Sequence, residues 1–414
     1  MSLSNITLTA AVRQNLLSLQ GTAELLATTQ GRLATGKKVN SALDNPTNFF
    51  TAAGLDSRAS DISNLLDSIG NGVQVLQAAN TGITSLSKLV DTAKSIANQV
   101  LQQPSGYTSK ATVSIAAPAG AGALGVAGTA TDLTNAGTNS LQGKTLVFKT
   151  ASGTTTLTID NTVGAGKVNS IDSINTALTA AGVELTASLN ANGSVTFTSS
   201  NNAASQTITA TGAYAAPPAG SSTSVDVSGT ATFGAVTAAV ADAVSQATRA
   251  SLVGQYNQII TQITTTAQDA SFNGINLLNG DALKLVFNET GKSTVTIAGV
   301  TFNPAGLGLA SLTAGTDFID TNATNNVLTA LNNASITLRS QASAFGANLS
   351  IVQIRQDFNK NLINVLQTGS ANLTLADTNE EAANSQALST RQSIAVSALA
   401  LANTSQQSVL QLLR

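Results

Sequence analysis

Apolar residues with heptad spacing at the start of the chain, and matching helical stripes near its end, restrict what it can fold into. Val12, Leu16, Leu19, Ala23, Leu26, Gln30 and Leu33 are spaced 4-3-4-3-4-3, a helical seam with one polar position. Gly36 follows the last apolar residue and Asn45-Pro46 breaks the pattern, so 34–48 reads as a linker. A longer seam then runs Ile62, Leu66, Ile69, Val73, Leu76, Asn80, Ile83, Leu86, Val90, Ala93, Ala97, Val100 with one 3-3 slip, a local phase change. From 62 to 100 that helix would be roughly 58 Å long at ~1.5 Å per residue. A bundle or fibre needs such a helix; a compact single-core domain does not.

The character changes at Gln102-Gln103-Pro104-Ser105-Gly106. Residues 105–235 are rich in Gly, Ala, Ser and Thr. Alternating runs at 145–150, 154–160, 183–189, 194–198 and 206–210 predict strands. Asn192-Gly193 marks a tight hairpin, and Ile171, Ile174 and Leu178 predict one helix over 170–181. Helical pattern resumes near Asp242, with Leu252, Tyr256, Ile259 and Ile263. Lys284–Phe287 and Thr294–Ile297 flank Asn288–Gly291 as a second hairpin. Val327 to Val352 carry another long seam. Thr378-x-x-Glu381 reads as a capping box opening a last helix, apolar on several sides through Ile394, Val396, Leu399, Leu401, Val409 and Leu412. The expected architecture is mainly α. Long antiparallel coiled-coil helices come from both ends, with a small β-hairpin and an inserted β-rich outer domain.

Composition removes most chemistry. Without Cys or His there is no zinc finger, Ser-His-Asp triad or Cys nucleophile, and no cofactor is expected. A net charge of −2 offers no general attraction to nucleic acid. No uncharged apolar run approaches the ~18 residues of a membrane span, and no basic start with an apolar core suggests a signal peptide. Gly120-x-Gly122-x-x-Gly125 matches a dinucleotide fingerprint only on paper, since neither a following helix nor an acidic residue about 20 positions on supports it. Asp377, Glu380 and Glu381, and likewise Asp317 and Asp320, read as charge and caps at helix starts, not as catalytic carboxylates. A last helix with apolar residues on several sides would expose them in a lone copy, which points to self-association. The residues expected to carry it are Val12, Leu16, Leu19, Leu26 and Leu33 with Ile394, Leu399, Leu401, Val409 and Leu412.

Three separated stretches resemble one family, the bacterial flagellins, and within it the alphaproteobacterial type. Arg32-Leu33-Ala-Thr-Gly36, running on to Asn40-Ser41-Ala42-Leu-Asp44, is similar to the family's Arg-Leu-Ser-Ser-Gly…Ile-Asn-Ser-Ala-Lys-Asp. Phe272-Asn273-Gly274 resembles its Phe-Asn-Gly turn, and Ala402-Asn403 through Leu413 its closing Ala-Asn-Gln…Val-Leu-x-Leu-Leu. The resemblance implies a filament subunit, exported unfolded by the flagellar type III apparatus and assembled outside the cell for swimming. It implies an inner D0 layer from 1–38 and 376–414, and a D1 layer from 39–103 and 243–375 with its hairpin near 283–302. The outer domain would be 104–242. Implied partners are further copies of itself, an export chaperone, and the cap and hook-associated proteins; nucleic acid and membrane are not among them. In the best-known members the outer insert follows the D1 hairpin, whereas here it falls between the first and second D1 helices. Two alternatives share some features: the hook–filament junction protein, which has similar ends, and a surface adhesin acting through 105–235. The insert's scattered aromatics, Phe148, Phe197, Tyr214 and Phe233, give the adhesin little support. The resemblance also aligns Val90–Gln99 with the helix that a Toll-like receptor detects in this family. There Thr92 and Lys94 stand where arginines are expected, and Ser95 where a glutamate is; a register one turn away places Lys88 at the arginine site instead.

Overall fold

The computed structural model describes residues 10–115, 133–134, 141–162, 164–190 and 194–412. Two helices open the chain, α1 (Ala10–Thr35) and α2 (Pro46–Leu101). Gly36 ends α1 at φ +66°, the left-handed conformation that suits glycine after a helix. The following turn is organised by Asp44, whose Oδ2 accepts the backbone N–H of Asn40 at 3.0 Å and of Ser41 at 2.8 Å. Asn45 Oδ1 accepts the N–H of Asn48 at 3.0 Å, and Pro46 fills the first helical position, where a missing N–H costs nothing. α2 is 56 residues long, starting well before the predicted seam. Ile62, Ile69, Leu76, Ile83, Leu86, Val90, Ala97 and Val100 are buried along it. Asn80, the polar seam position, is exposed, and Ala79 takes the buried place.

The middle of the chain contains β1 (Tyr107–Ser109), β2 (Thr112–Ile115), β3 (Thr145–Thr150), β4 (Gly153–Ile159) and β5 (Lys167–Val168). Next come α3 (Ile171–Ala180), β6 (Leu185–Leu189), β7 (Val195–Ser199), β8 (Thr207–Thr209), β9 (Ser224–Gly229), β10 (Phe233–Thr237) and β11 (Val240–Ala241). They form a four-stranded sheet ordered β10-β2-β7-β6, a five-stranded sheet ordered β5-β4-β3-β9-β8, and a short β1–β11 pair. One core serves both sheets and α3, built on Leu146, Phe148, Ile159, Ile174, Leu178, Val195, Phe197 and Val225. Phe148, Phe197 and Phe233 stack in sequence, with centroids 5.4 and 6.1 Å apart. They are thus core residues and not a surface cluster. α3 starts on a capping box of Ser170 and Ser173. The five predicted strands and the helix fall at β3, β4, β6, β7, β8 and α3. The expected runs leave out β1, β2, β5, β9, β10 and β11. The turn expected at Asn192-Gly193 and the glycine run 120–125 lie outside the described residues.

Helix α4 (Ala243–Asp269) follows, capped by Asp242 through the N–H of Ser245. Phe272-Asn273-Gly274 closes a tight turn with φ +50° at Asn273 and +79° at Gly274. Strands β12 (Ala282–Val286) and β13 (Thr294–Ala298) pair with each other. The chain ends in α5 (Thr321–Thr374) and α6 (Thr378–Leu412). No helix among the described residues is long and apolar enough to cross a membrane. The chain divides into two compact units. One holds residues up to 73, 284–296 and 350–414; the other holds 74–283 and 297–349.

Candidate self-association surface

In the first unit α1 and α6 pack against each other, running antiparallel. Arg32, near the end of α1, donates through Nη1 to Glu381 Oε1 near the start of α6 at 3.2 Å. The adjoining connections are tied by backbone. Lys38 N–H donates to Thr374 C=O at 2.7 Å, and Ala376 N–H to Gly36 C=O at 3.0 Å. The expected capping box is corrected here. The Asp377 carboxylate takes the N–H groups of Asn379 (2.9 Å) and Glu380 (3.3 Å), so Asp377 is the cap. Glu381 is buried and faces Arg32 instead.

The α1 seam drifts from its strict heptad. Val12 is buried and Leu16, Leu19 and Leu26 are half-buried, but Leu33 is 40% exposed. Thr29 and Arg32 take the inward places that Gln30 and Leu33 would have held. A straight helix has 3.6 residues per turn and slips about 20° per heptad against a 3.5 repeat, which accounts for the shift.

Much of this unit's apolar surface has no partner within one copy. Leu17 and Leu25 of α1 face solvent, as do Ile394 and Val396 of α6. Leu401 is 73% exposed, and Leu43 in the linker is 95% exposed. On α5, Ile351, Ile354, Phe358 and Val365 follow one helical stripe and are all exposed. Leu399 and Ala402 are half-buried and Asn403 is exposed; the side chains of Val409 and Leu412 lie outside the described residues. Large apolar residues left exposed on three helices make these helices candidates for an interaction surface.

Elsewhere in the unit the pairing is close. Ala59, Ile62 and Leu366 form a small core with Leu55, Leu362 and Ile363. The β12–β13 turn is clamped by Arg58 to Glu289 (2.8 Å) and by Asn359 Nδ2 to Phe287 C=O (3.0 Å). A Cβ at Gly72 would stand 2.5 Å from Leu285 Cδ2, so only glycine lets that strand approach α2 so closely. Among the family-motif residues, Asn40, Ser41 and Asp44 form one hydrogen-bonded turn. These bonds, the Ser41 N–H foremost, hold the Asp44 carboxyl below the usual carboxylate range.

In the second unit a buried polar cluster holds the insert at its neck. Arg249, 2% exposed, donates to Phe318 C=O at 2.8 Å and to Pro104 C=O at 2.6 Å. Asp320 is fully buried. Its Oδ1 caps α5 through Ala323 N–H at 3.0 Å. Its Oδ2 accepts from the Ser205 hydroxyl at 2.6 Å, the Ser205 N–H at 3.2 Å and the Ser222 hydroxyl. Burial pushes the Tyr107 hydroxyl up to about 12, with the Asp320 charge adding to it. Burial lowers the Arg249 pKa, while Asp320 and Tyr107 oppose that. The sequence pattern alone suggests a simple helix cap at Asp320; the side chain also joins α5 to two serines of the insert. The chain enters and leaves the insert side by side, Asp242 N–H bonding Gly106 C=O at 2.9 Å.

The arrangement defines a class: a protein of long terminal helices with apolar faces open to solvent, joined around a β-rich insert. The bacterial flagellin N-terminal helical region matches residues 6–117 and the C-terminal helical region residues 328–413, so both ends of the chain match the bacterial flagellin family. It is similar to Flagellin FljM of Caulobacter vibrioides, 32% identical over 165 residues that cover 39% of this chain and 59% of that one. It is 29% identical to a flagellin of Brucella melitensis over 173 residues, covering 39% of this chain and 60% of the relative. Flagellin C of Rhizobium meliloti is 35% identical over 75 residues, 18% of this chain and 23% of its own length. The chain thus spans about three-fifths of the length of the first two relatives.

Proposed function

We propose that this chain is a structural subunit, not an enzyme, that self-assembles into the extracellular filament of the bacterial flagellum and serves swimming motility. The observation that carries the reading is the open apolar surface on α1, α5 and α6 in a chain with flagellin regions at both ends. Under it, 1–38 and 376–414 pair as the inner coiled coil, the D0 layer. Segments 39–103 and 243–375, with the 283–302 hairpin, form D1, and 104–242 stands outermost. The heptad of the first stretch and its packing against α6 support the pairing of the two ends. Val12, Leu16, Leu19, Leu26, Leu33, Ile394, Leu399, Leu401, Val409 and Leu412 are then self-association residues. Export unfolded by the type III apparatus, with a chaperone, and assembly with cap and hook-associated proteins follow from the family. Electron microscopy of sheared surface filaments, with the chain identified by mass, tests the proposal. Filaments lacking the chain would refute it.

The insert is expected to be dispensable for assembly. Its entry and exit strands adjoin at Gly106 and Asp242, so Gln103 joined to Ala241 by a short Gly/Ser linker closes the gap between α2 and α4. Because Asp320 loses Ser205 and Ser222 in that deletion, Asp320→Asn belongs in it. Thinner filaments are expected by microscopy; loss of all assembly would show that the insert carries essential contacts.

The receptor-facing helix is expected to signal poorly. Thr92 and Ser95 are exposed, and Lys94 lies 4.0 Å from Asp91. Neither a hydroxyl nor a point charge replaces a planar guanidinium. Losing an arginine anchor commonly costs more than ~2 kcal/mol, roughly thirtyfold in affinity. A reporter-cell assay with depolymerised protein checks this; potency equal to an arginine-bearing flagellin would contradict it.

A further inference from the structure

We propose that Asn175 is an edge guard: its carboxamide occupies the outward N–H and C=O of Ala187 at the centre of β6 and closes that edge to strand addition by a second copy of this chain. Among the described residues the four-stranded sheet ends at β10 on one side and β6 on the other. The β10 edge is broken by a register shift between Phe233 and Val236, a common way of making an edge unsuitable for pairing. β6 has no such break. It pairs with β7 without interruption from Leu185↔Ser199 to Leu189↔Val195. Its sequence, Leu-Thr-Ala-Ser-Leu, contains neither charge nor proline, the usual edge protections.

On an antiparallel edge strand, alternate residues turn both N–H and C=O away from the sheet. At the centre of β6 that residue is Ala187. Its N–H donates to Asn175 Oδ1 at 2.7 Å, and its C=O accepts from Asn175 Nδ2 at 3.1 Å. The carboxamide presents the donor and acceptor pair that the peptide group of an added strand would present. Asn175 is not part of the α3 core, which consists of Ile171, Ile174 and Leu178. Asparagine is also a poor residue for a helix interior, so the two bonds are what this position contributes. The same two-bond pattern occurs at Asn257 of α4, where it holds a loop: Asn257 accepts the N–H of Leu312 at 2.8 Å and donates to its C=O at 2.9 Å. The occupant excluded at β6 is another β6. A strand edge paired antiparallel with its own copy is self-complementary about a two-fold axis, and Thr186 and Ser188, both exposed, offer no repulsion. The inference does not depend on the filament reading.

The test compares the full chain with N175A, N175S and N175D, using light scattering over a concentration series and hydrogen exchange read at β6. In N175A, β6 is expected to exchange faster when dilute and to regain protection as concentration rises, with association at least about tenfold tighter than wild type. N175S cannot span both backbone groups, so it is expected to behave alike, and it carries the test if the alanine variant fails to fold. N175D loses the donor but places a negative charge at the edge, and is expected to associate no more than wild type. Faster exchange at β6 in N175A and N175S with wild-type association at every concentration would overturn the proposal. So would N175D associating as strongly as they do, which would mark general loosening and not an opened edge.

Discussion

A chain lacking Ser393–Arg414 is expected to remain soluble and fail to polymerise. The deleted stretch carries Ile394, Val396 and Leu401, whose apolar side chains face solvent in a single copy. Covering a large apolar side chain is worth roughly 1.5–3 kcal/mol, so several covered together dominate an assembly free energy. Leu401→Asp separates the assembly role from a folding role. At 73% exposure, Leu401 contributes little to the folded single copy, and a surface change of this kind typically shifts stability by within about 0.5 kcal/mol. In a filament the same position would be covered, and an uncompensated buried charge costs several kcal/mol. The expected result is an unchanged thermal midpoint of the depolymerised protein together with no pelletable filament after seeding. Filaments formed by either variant would refute a role for the α6 face in assembly.

The helices were legible because their signal is local and repeated. Ile62 to Val100 keep their apolar period through ten turns, and Gly36, Pro46 and Asp242 mark helix ends by chemistry that needs no distant partner. Small misreadings occurred where distance matters. Leu33 lost its inward place to accumulated twist, and Glu381 was diverted from capping by Arg32, which lies far away in sequence. The insert was half legible. β3 with β4, and β6 with β7, are neighbours in the chain, so alternation and turn residues reveal them. β2 pairs with β7, and β9 with β3. Those partners lie about 80 residues away, and no local pattern announces such pairing. The neck was illegible for the same reason, since Tyr107, Ser205, Ser222, Arg249 and Asp320 are scattered along the chain. One sign of it was available. Arg249 stands where the stripe through Leu252, Tyr256, Ile259 and Ile263 requires an inward residue, although Ile260 is buried where Ile259 is only half-buried, and an arginine there needs buried partners.

Those partners make Asp320 the position where one substitution is expected to damage the second unit most. Asp320→Ala removes the acceptor for the Ser205 N–H, the Ser205 and Ser222 hydroxyls and the Ala323 N–H at a fully buried site. Each buried donor left without an acceptor costs about 1–3 kcal/mol, and Arg249 loses the nearest opposing charge. Breaking a buried charged arrangement in this way typically costs ~3–5 kcal/mol in all. Asp320→Asn keeps an oxygen for the Ala323 N–H, and the serine hydroxyls can reverse to accept from the new amide, so that the Ser205 N–H is the donor left unpaired and the loss is expected to be the smaller. Denaturant unfolding, followed by hydrogen exchange at 202–224 and 318–324, checks both; equal midpoints for wild type and the alanine variant would contradict the cluster's role. The same site sets an alkaline limit. Folding holds the Tyr107 pKa at about 12, above the ordinary 10.0, so the folded state keeps its proton more tightly. That contribution is complete below about pH 10 and is lost as pH rises through about 12. Tyr107→Phe cannot ionise, and is therefore expected to flatten the loss of insert stability across that window. A profile as steep as wild type would assign the alkaline transition to other groups.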